Sequence, residues 1–146
     1  MLFRSSSLME KVGIATDEEF EQQRRKCILI VDDDPTYVQM IREWLKSTYR
    51  VGMANSGTQA IAWLATNKAD LILLDYDMPV LDGPKVMQML KSEAFSSTTP
   101  VMFLTGKNDR KSVTDVISLK PADYLLKSIS KDKLLATLDL FFKKGT

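Results

Sequence analysis

From residue 26 onward the chain alternates without a break between short apolar runs and segments of helical period. Cys27-Ile28-Leu29-Ile30-Val31, Leu71-Ile72-Leu73-Leu74 and Val101-Met102-Phe103-Leu104 are the clearest runs; Tyr49 to Ala54 and Tyr124-Leu125-Leu126 are weaker ones. Each is followed by a helical pattern. Asp34 caps a helix that begins at Pro35 and gathers Val38, Ile41 and Leu45 on one face, with Tyr37 and Trp44 as packing aromatics. Ser56 caps a helix carrying Ile61, Trp63 and Leu64. Val86, Met87 and Leu90 follow the Asp82-Gly83-Pro84 turn, and Val113, Val116 and Ile117 pattern a fourth helix. Ser130 caps a closing helix through Leu134, Leu138 and Phe141.

Strands that are apolar on both faces belong to a parallel sheet covered by helices on both sides. The expected fold is therefore α/β, with a five-stranded doubly wound parallel sheet. Five strands in about 120 residues fit the flavodoxin-like order 2-1-3-4-5, although the pattern alone leaves the order open. The alternation assigns residues 26–146 to one domain and leaves residues 1–25 as an N-terminal extension. Within it, Thr16 and Glu19 have capping-box spacing, so Asp17 to Arg25 is expected to form a short helix.

Histidine is absent from all 146 residues. That excludes a Ser-His-Asp triad, histidine metal ligands and a histidine phosphocarrier on this chain. Chemistry here has to rest on carboxylates, hydroxyls, lysines or a cation held by oxygen. A net charge of +1 gives no reason to expect nucleic acid or an acidic membrane surface as a partner. No apolar run approaches membrane-spanning length. The single cysteine, Cys27, lies inside an apolar run, which excludes an internal disulfide and fits a reducing cytoplasm.

In an open parallel sheet, ligands bind beyond the carboxyl ends of the strands. Four of the runs end in polar residues: Asp32-Asp33, Asp75, Thr105 and Lys127. In the 2-1-3-4-5 order these are neighbours, so carboxylates, a hydroxyl and an ammonium gather at one edge. Clustered carboxylates resist ionising together unless a cation joins them. Oxygen ligands alone point to a hard ion, Mg²⁺ before Ca²⁺. Such a site attracts a phosphoryl group, and a carboxylate can itself be the nucleophile. Asp34 and Asp82 are read as helix caps, and Lys143-Lys144 as a solvated end.

These residues resemble the receiver domains of two-component response regulators, from about Lys26 to Phe142. The matching pieces are Ile28-Leu29-Ile30-Val31-Asp32-Asp33-Asp34-Pro35, Leu74-Asp75-Tyr76-Asp77-Met78-Pro79 with Asp82-Gly83, Phe103-Leu104-Thr105-Gly106, and Asp123-Tyr124-Leu125-Leu126-Lys127. The resemblance implies that Asp75 accepts a phosphoryl group from a phosphohistidine on a sensor histidine kinase or histidine phosphotransfer protein. It implies Mg²⁺ (or Mn²⁺) bound by Asp33, by Asp75 and by the Asp77 backbone carbonyl, with Asp32 acting through a water. Thr105 and Lys127 would bind the phosphoryl oxygens, and Thr105 with Tyr124 would form a two-state switch toward a downstream protein target or fused output domain. No turnover enzyme is implied.

Three positions depart from the family pattern. Ser128 stands where proline is usual after the lysine. Because a cis bond without proline costs roughly 3–4 kcal/mol, the sequence leaves open whether this bond is cis and whether Lys127 stands where the family places it. Pro121 replaces a common glycine and stiffens the turn into the last strand. Gly106 replaces a common alanine and loosens the loop after Thr105.

Two other readings compete. A haloacid-dehalogenase-like phosphatase also carries Asp-x-Asp after an apolar strand, as in Asp75-Tyr76-Asp77, but there the nucleophilic strand comes first and an acidic pair follows the lysine. A receiver-shaped interaction module that is never phosphorylated is favoured only by Ser128. Because the pattern runs through the last helix, a single-domain regulator acting by protein contact is expected ahead of a longer protein with an output domain.

Overall fold

The computed structural model describes residues 16–106 and 119–144. The helix expected around Val113, Val116 and Ile117 lies outside them. The elements are α1 (Asp17–Arg24), β1 (Cys27–Val31), α2 (Pro35–Leu45), β2 (Arg50–Ala54), α3 (Gly57–Thr66), β3 (Leu71–Asp75), α4 (Gly83–Ser92), β4 (Val101–Thr105), β5 (Asp123–Leu126) and α5 (Lys131–Lys144). The strands form one sheet in the order β2-β1-β3-β4-β5, every neighbouring pair parallel. Expected strand limits shift by a residue at most; Asp75 and Thr105 are the last residues of β3 and β4.

Alternation along the strands divides the core in two. Leu29, Val31, Ile72, Leu74, Val101 and Phe103 pack with Ala60 and Leu64 of α3 and with Val86, Met87 and Leu90 of α4. Ile28, Ile30, Leu71, Leu73, Met102 and Leu104 pack with Val38, Ile41 and Leu45 of α2 and with Leu134 and Leu138 of α5. Helices thus cover both faces, and β1, β3 and β4 are buried at every position. Each fully buried Leu or Ile contributes roughly 1.5–3 kcal/mol, so the central strands dominate the stability. No helix among the described residues is long and apolar enough to cross a membrane.

The helix starts follow the sequence. The Asp34 carboxylate accepts from the Thr36 and Tyr37 N–H groups, Ser56 Oγ from Gln59, Asp82 from Lys85, and Ser130 Oγ from Lys133. Thr16 and Glu19 form both bonds of a capping box: Thr16 N–H donates to Glu19 Oε1 at 2.7 Å, and Glu19 N–H to Thr16 Oγ1 at 3.2 Å. This starts α1, which ends one residue short of the expected limit. Arg25 Nη1 donates to the Lys46 carbonyl, tying the end of α1 to the end of α2.

One glycine fixes how α4 meets the sheet. Gly83 N–H donates to the Tyr76 carbonyl at 2.9 Å. A Cβ at Gly83 would collide with the Asp75 carbonyl oxygen and Tyr76 Cα, both main-chain atoms that cannot swing aside. The start of α4 therefore lies directly against the end of β3.

Candidate functional site

The parallel order brings the carboxyl ends of β1, β3, β4 and β5 side by side. Val31 is level with Leu74, Asp75 with Leu104, and Thr105 with Leu126. Asp32, Asp75, Thr105 and Lys127 consequently line one edge, as the strand-end pattern required.

Asp32 and Asp75 are each only 2% exposed, and Thr105 is fully buried. Carboxylate oxygens of Asp32, Asp33 and Asp75 lie within 4.8 Å of one another, with Asp33 the exposed member. Lys127 Nζ sits 2.7 Å from Asp32 Oδ2 and 3.2 Å from Asp75 Oδ1. Asp32 Oδ2 meets no other donor among the described residues. The other Asp32 oxygen accepts from Asp34 N–H at 2.9 Å, and Asp75 Oδ1 accepts from Asp77 N–H at 3.1 Å. Asp77 itself is exposed. Lys127 N–H donates to the Thr105 carbonyl at 2.7 Å, fixing the end of β5 against β4.

Burial raises Asp75 from 3.8 to about 7; the Asp32 charge adds to this, while Lys127 and the Asp77 N–H oppose it. Burial works to lower Lys127, but hydrogen bonding and charge from Asp32 and Asp75 outweigh it and leave the ammonium above its ordinary value. The lysine is therefore protonated at neutral pH and compensates the buried acids.

The Lys127–Ser128 bond is trans, since the described residues contain no cis peptide bond. Lys127 nevertheless reaches both carboxylates. Among the described residues nothing lies within 4 Å of a Cβ at Gly106, so none of them demands glycine there. Tyr124 lies back from the edge, beside Phe103 in the sheet, with its ring 6.4 Å from that of Tyr76. Its hydroxyl is buried and has no hydrogen-bond partner among the described residues. Beside Asp32 and Asp33 opens a cleft of about 270 Å³, floored by Pro35, Val38 and Met53.

Tyr37 was expected only to pack within its helix; the structure also brings it to the site. Its ring centroid is 4.8 Å from Lys127 Nζ, and its hydroxyl donates to the Lys127 carbonyl at 3.5 Å. The available signal was position: the first turn of a helix that starts just beyond Asp32 must overlie the sheet's carboxyl edge.

A doubly wound sheet with an acidic triad and a lysine at this edge defines a class of signalling domain, and comparison with known proteins agrees. The response regulator receiver domain family model matches residues 28–139, and the chain belongs to that family. A probable cyclic di-GMP phosphodiesterase of Vibrio cholerae serotype O1 is 37% identical over 103 residues, 70% of this chain and 23% of that protein. The transcriptional regulatory protein ZraR of Escherichia coli K12 is 32% identical over 113 residues, 77% of this chain and 25% of that protein. The chain thus spans about a quarter of the length of these relatives. Among solved structures, the chemotaxis protein CheY4 of Vibrio cholerae superposes with a TM-score of 0.74 at 26% identity, covering 79% of this chain and 97% of CheY4.

Proposed function

We propose that this receiver domain accepts a phosphoryl group on Asp75 from a phosphohistidine partner and relays the event through a change at its surface. The observation that carries the reading is the placement of Asp75: buried at the end of β3, with Asp32 and Asp33 oxygens within 4.8 Å and Lys127 Nζ at 3.2 Å. An Asp75 carboxylate oxygen attacks phosphorus as the donor's N–P bond breaks. The bonding pair returns to the imidazole nitrogen, which takes a proton from solvent. The raised affinity of Asp75 for its own proton means that the nucleophile needs a cationic environment to be ionised.

The donor set suits a hard divalent cation, because the cluster offers carboxylate oxygens and no nitrogen or sulfur. Asp33, Asp75 and the Asp77 backbone carbonyl would hold Mg²⁺ or Mn²⁺, with Asp32 acting through a water. Bound there, the ion would neutralise charge on the transferring oxygens. Thr105 would donate to a phosphoryl oxygen and Lys127 would pair with another. Movement of Thr105 would let Tyr124 exchange one packing for another, altering the surface read by a partner.

A sensor histidine kinase or histidine phosphotransfer protein is the donor in this reading, and a downstream protein target or an output domain on the same polypeptide is the reader. The domain takes part in a cytoplasmic phosphorelay and does not turn over substrate. Residues 26–146 form the receiver and residues 1–25 an extension to it.

The test is beryllofluoride binding with Mg²⁺, followed by amide NMR on the wild type and Asp75→Asn. Shifts at Thr105, Tyr124 and Lys127 in the wild type alone are expected. Silence in both proteins at saturating Mg²⁺ would sink the phosphoacceptor reading and leave an interaction module with a receiver fold.

A further inference from the structure

Lys127 must hold a flexible four-carbon stem in one direction to meet the two buried carboxylates. Its immediate main-chain restraints are the bond from its own N–H to the Thr105 carbonyl and the bond from Ile129 N–H to the Leu126 carbonyl. These fix the backbone of the turn, not the side chain, whose rotamer freedom is worth about 2 kcal/mol. Asp32 and Asp75 attract the ammonium without dictating the path of the stem, and a newly attached phosphoryl group would compete for it. Some other group has to limit where Nζ can go.

Tyr37 is placed to do so. It is the third residue of α2, whose start is held by Asp34 and Pro35. Its half-buried side chain touches Lys127 at both ends, with the ring 4.8 Å from Nζ and the hydroxyl bonded to the Lys127 carbonyl. A ring face attracts an ammonium without carrying a charge of its own, so it steers Lys127 without competing with Asp32 and Asp75 as a third carboxylate would. Burial, followed by the charges of Asp32 and Asp75, holds the phenol well above its ordinary pKa, which keeps the hydroxyl a donor at physiological pH. The 3.5 Å bond is long and therefore weak, so the ring carries most of the effect.

We propose that Tyr37 is the positioning residue for Lys127, its ring confining the ammonium to the arc that serves Asp32, Asp75 and a phosphoryl group on Asp75. The proposal rests on the reading of Lys127 as a phosphoryl-binding group. Tyr37 does not touch the phosphoryl group; it acts through the lysine.

The experiment uses the full chain as wild type, Tyr37→Phe, Tyr37→Leu, Tyr37→Met and Lys127→Gln. Beryllofluoride affinity at saturating Mg²⁺ is read beside the proton shifts of the Lys127 ε-methylene, which a ring face moves upfield. Tyr37→Phe keeps the ring and is expected to keep the upfield shift and stay within about twofold of wild-type affinity. Tyr37→Leu and Tyr37→Met are expected to lose the shift and bind beryllofluoride about five- to tenfold more weakly. Either ringless variant suffices if the other folds poorly. Wild-type affinity in the ringless variants, with Lys127→Gln weakened, overturns the role of Tyr37 and leaves that of Lys127. A Tyr37→Phe protein as weak as the ringless ones overturns the ring as the agent. Wild-type affinity in Lys127→Gln overturns both readings at once.

Discussion

Lys127 Nζ stands closer to Asp32 Oδ2, at 2.7 Å, than to the proposed phosphoacceptor Asp75, whose Oδ1 is 3.2 Å away. One ammonium thus compensates two carboxylates that are almost fully buried, one at the end of β3 and one just beyond β1. Without a divalent ion, this lysine is the main cationic counterweight to the pair among the described residues.

Removing it leaves adjacent buried charges uncompensated. Lys127→Ala is expected to destabilise the ion-free protein by about 2–3 kcal/mol, the cost being limited because Asp75 can take up a proton. Urea unfolding with and without Mg²⁺ checks this. The deficit is expected to shrink when Mg²⁺ is added, and equal stability of the two proteins in chelator would contradict the compensation argument.

The pH dependence follows from Asp75. Its carboxyl titrates at about 7 in the folded protein, against an ordinary 3.8. Between those values the folded state holds a proton that the unfolded state has lost, so this group's contribution to stability falls as pH rises through the window, and the penalty is complete above about 7. Asp75→Asn lacks the titration. Its stability advantage over wild type in chelator is expected to widen by roughly 4 kcal/mol between about pH 4 and pH 8. A constant gap across that range would contradict the raised pKa.

Two glycines that look alike in sequence are expected to behave oppositely. Gly83→Ala drives a methyl group into the Asp75 carbonyl and Tyr76 Cα. A loss of about 2 kcal/mol is expected, with weakened Mg²⁺ binding because the end of β3 must shift. Gly106→Ala meets nothing within 4 Å among the described residues and is not in the left-handed region. It is expected to gain about 0.5 kcal/mol by restricting the unfolded chain. Thermal melts of the two variants separate the cases.

The buried Tyr124 hydroxyl lacks a partner among the described residues. Tyr124→Phe is therefore expected to stabilise the ion-free protein by about 1 kcal/mol. A destabilised Phe variant would show that the hydroxyl is satisfied in solution.

The two-sided burial of β1, β3 and β4 was legible because a strand covered on both faces must be apolar at every position. The caps at Asp34, Ser56, Asp82 and Ser130 were legible because capping is local chemistry between residues two or three apart. The polar strand ends were legible for the same reason: a parallel sheet has one carboxyl edge, and every strand-ending residue arrives there. Whether the Lys127–Ser128 bond is cis was left open by the sequence; it is trans, and Lys127 reaches both acids.

What the sequence alone could not decide depends on contacts between distant segments. Strand order came from long-range pairing, since local pattern does not say which strand lies beside β1. The preference of Lys127 for Asp32 depends on a side-chain path across the edge from β5 to β1. Tyr37 lies just beyond Asp32, which placed it near the carboxyl edge, but nothing local paired it with Lys127, 90 positions later. Its helical position indicated packing, and only the crossing of α2 over the carboxyl edge turned a packing aromatic into a neighbour of the ammonium. Sequence determines which groups reach an edge because chain direction and period are local properties. Tertiary structure decides which of those groups touch, because side-chain contacts depend on how separate elements pack in three dimensions.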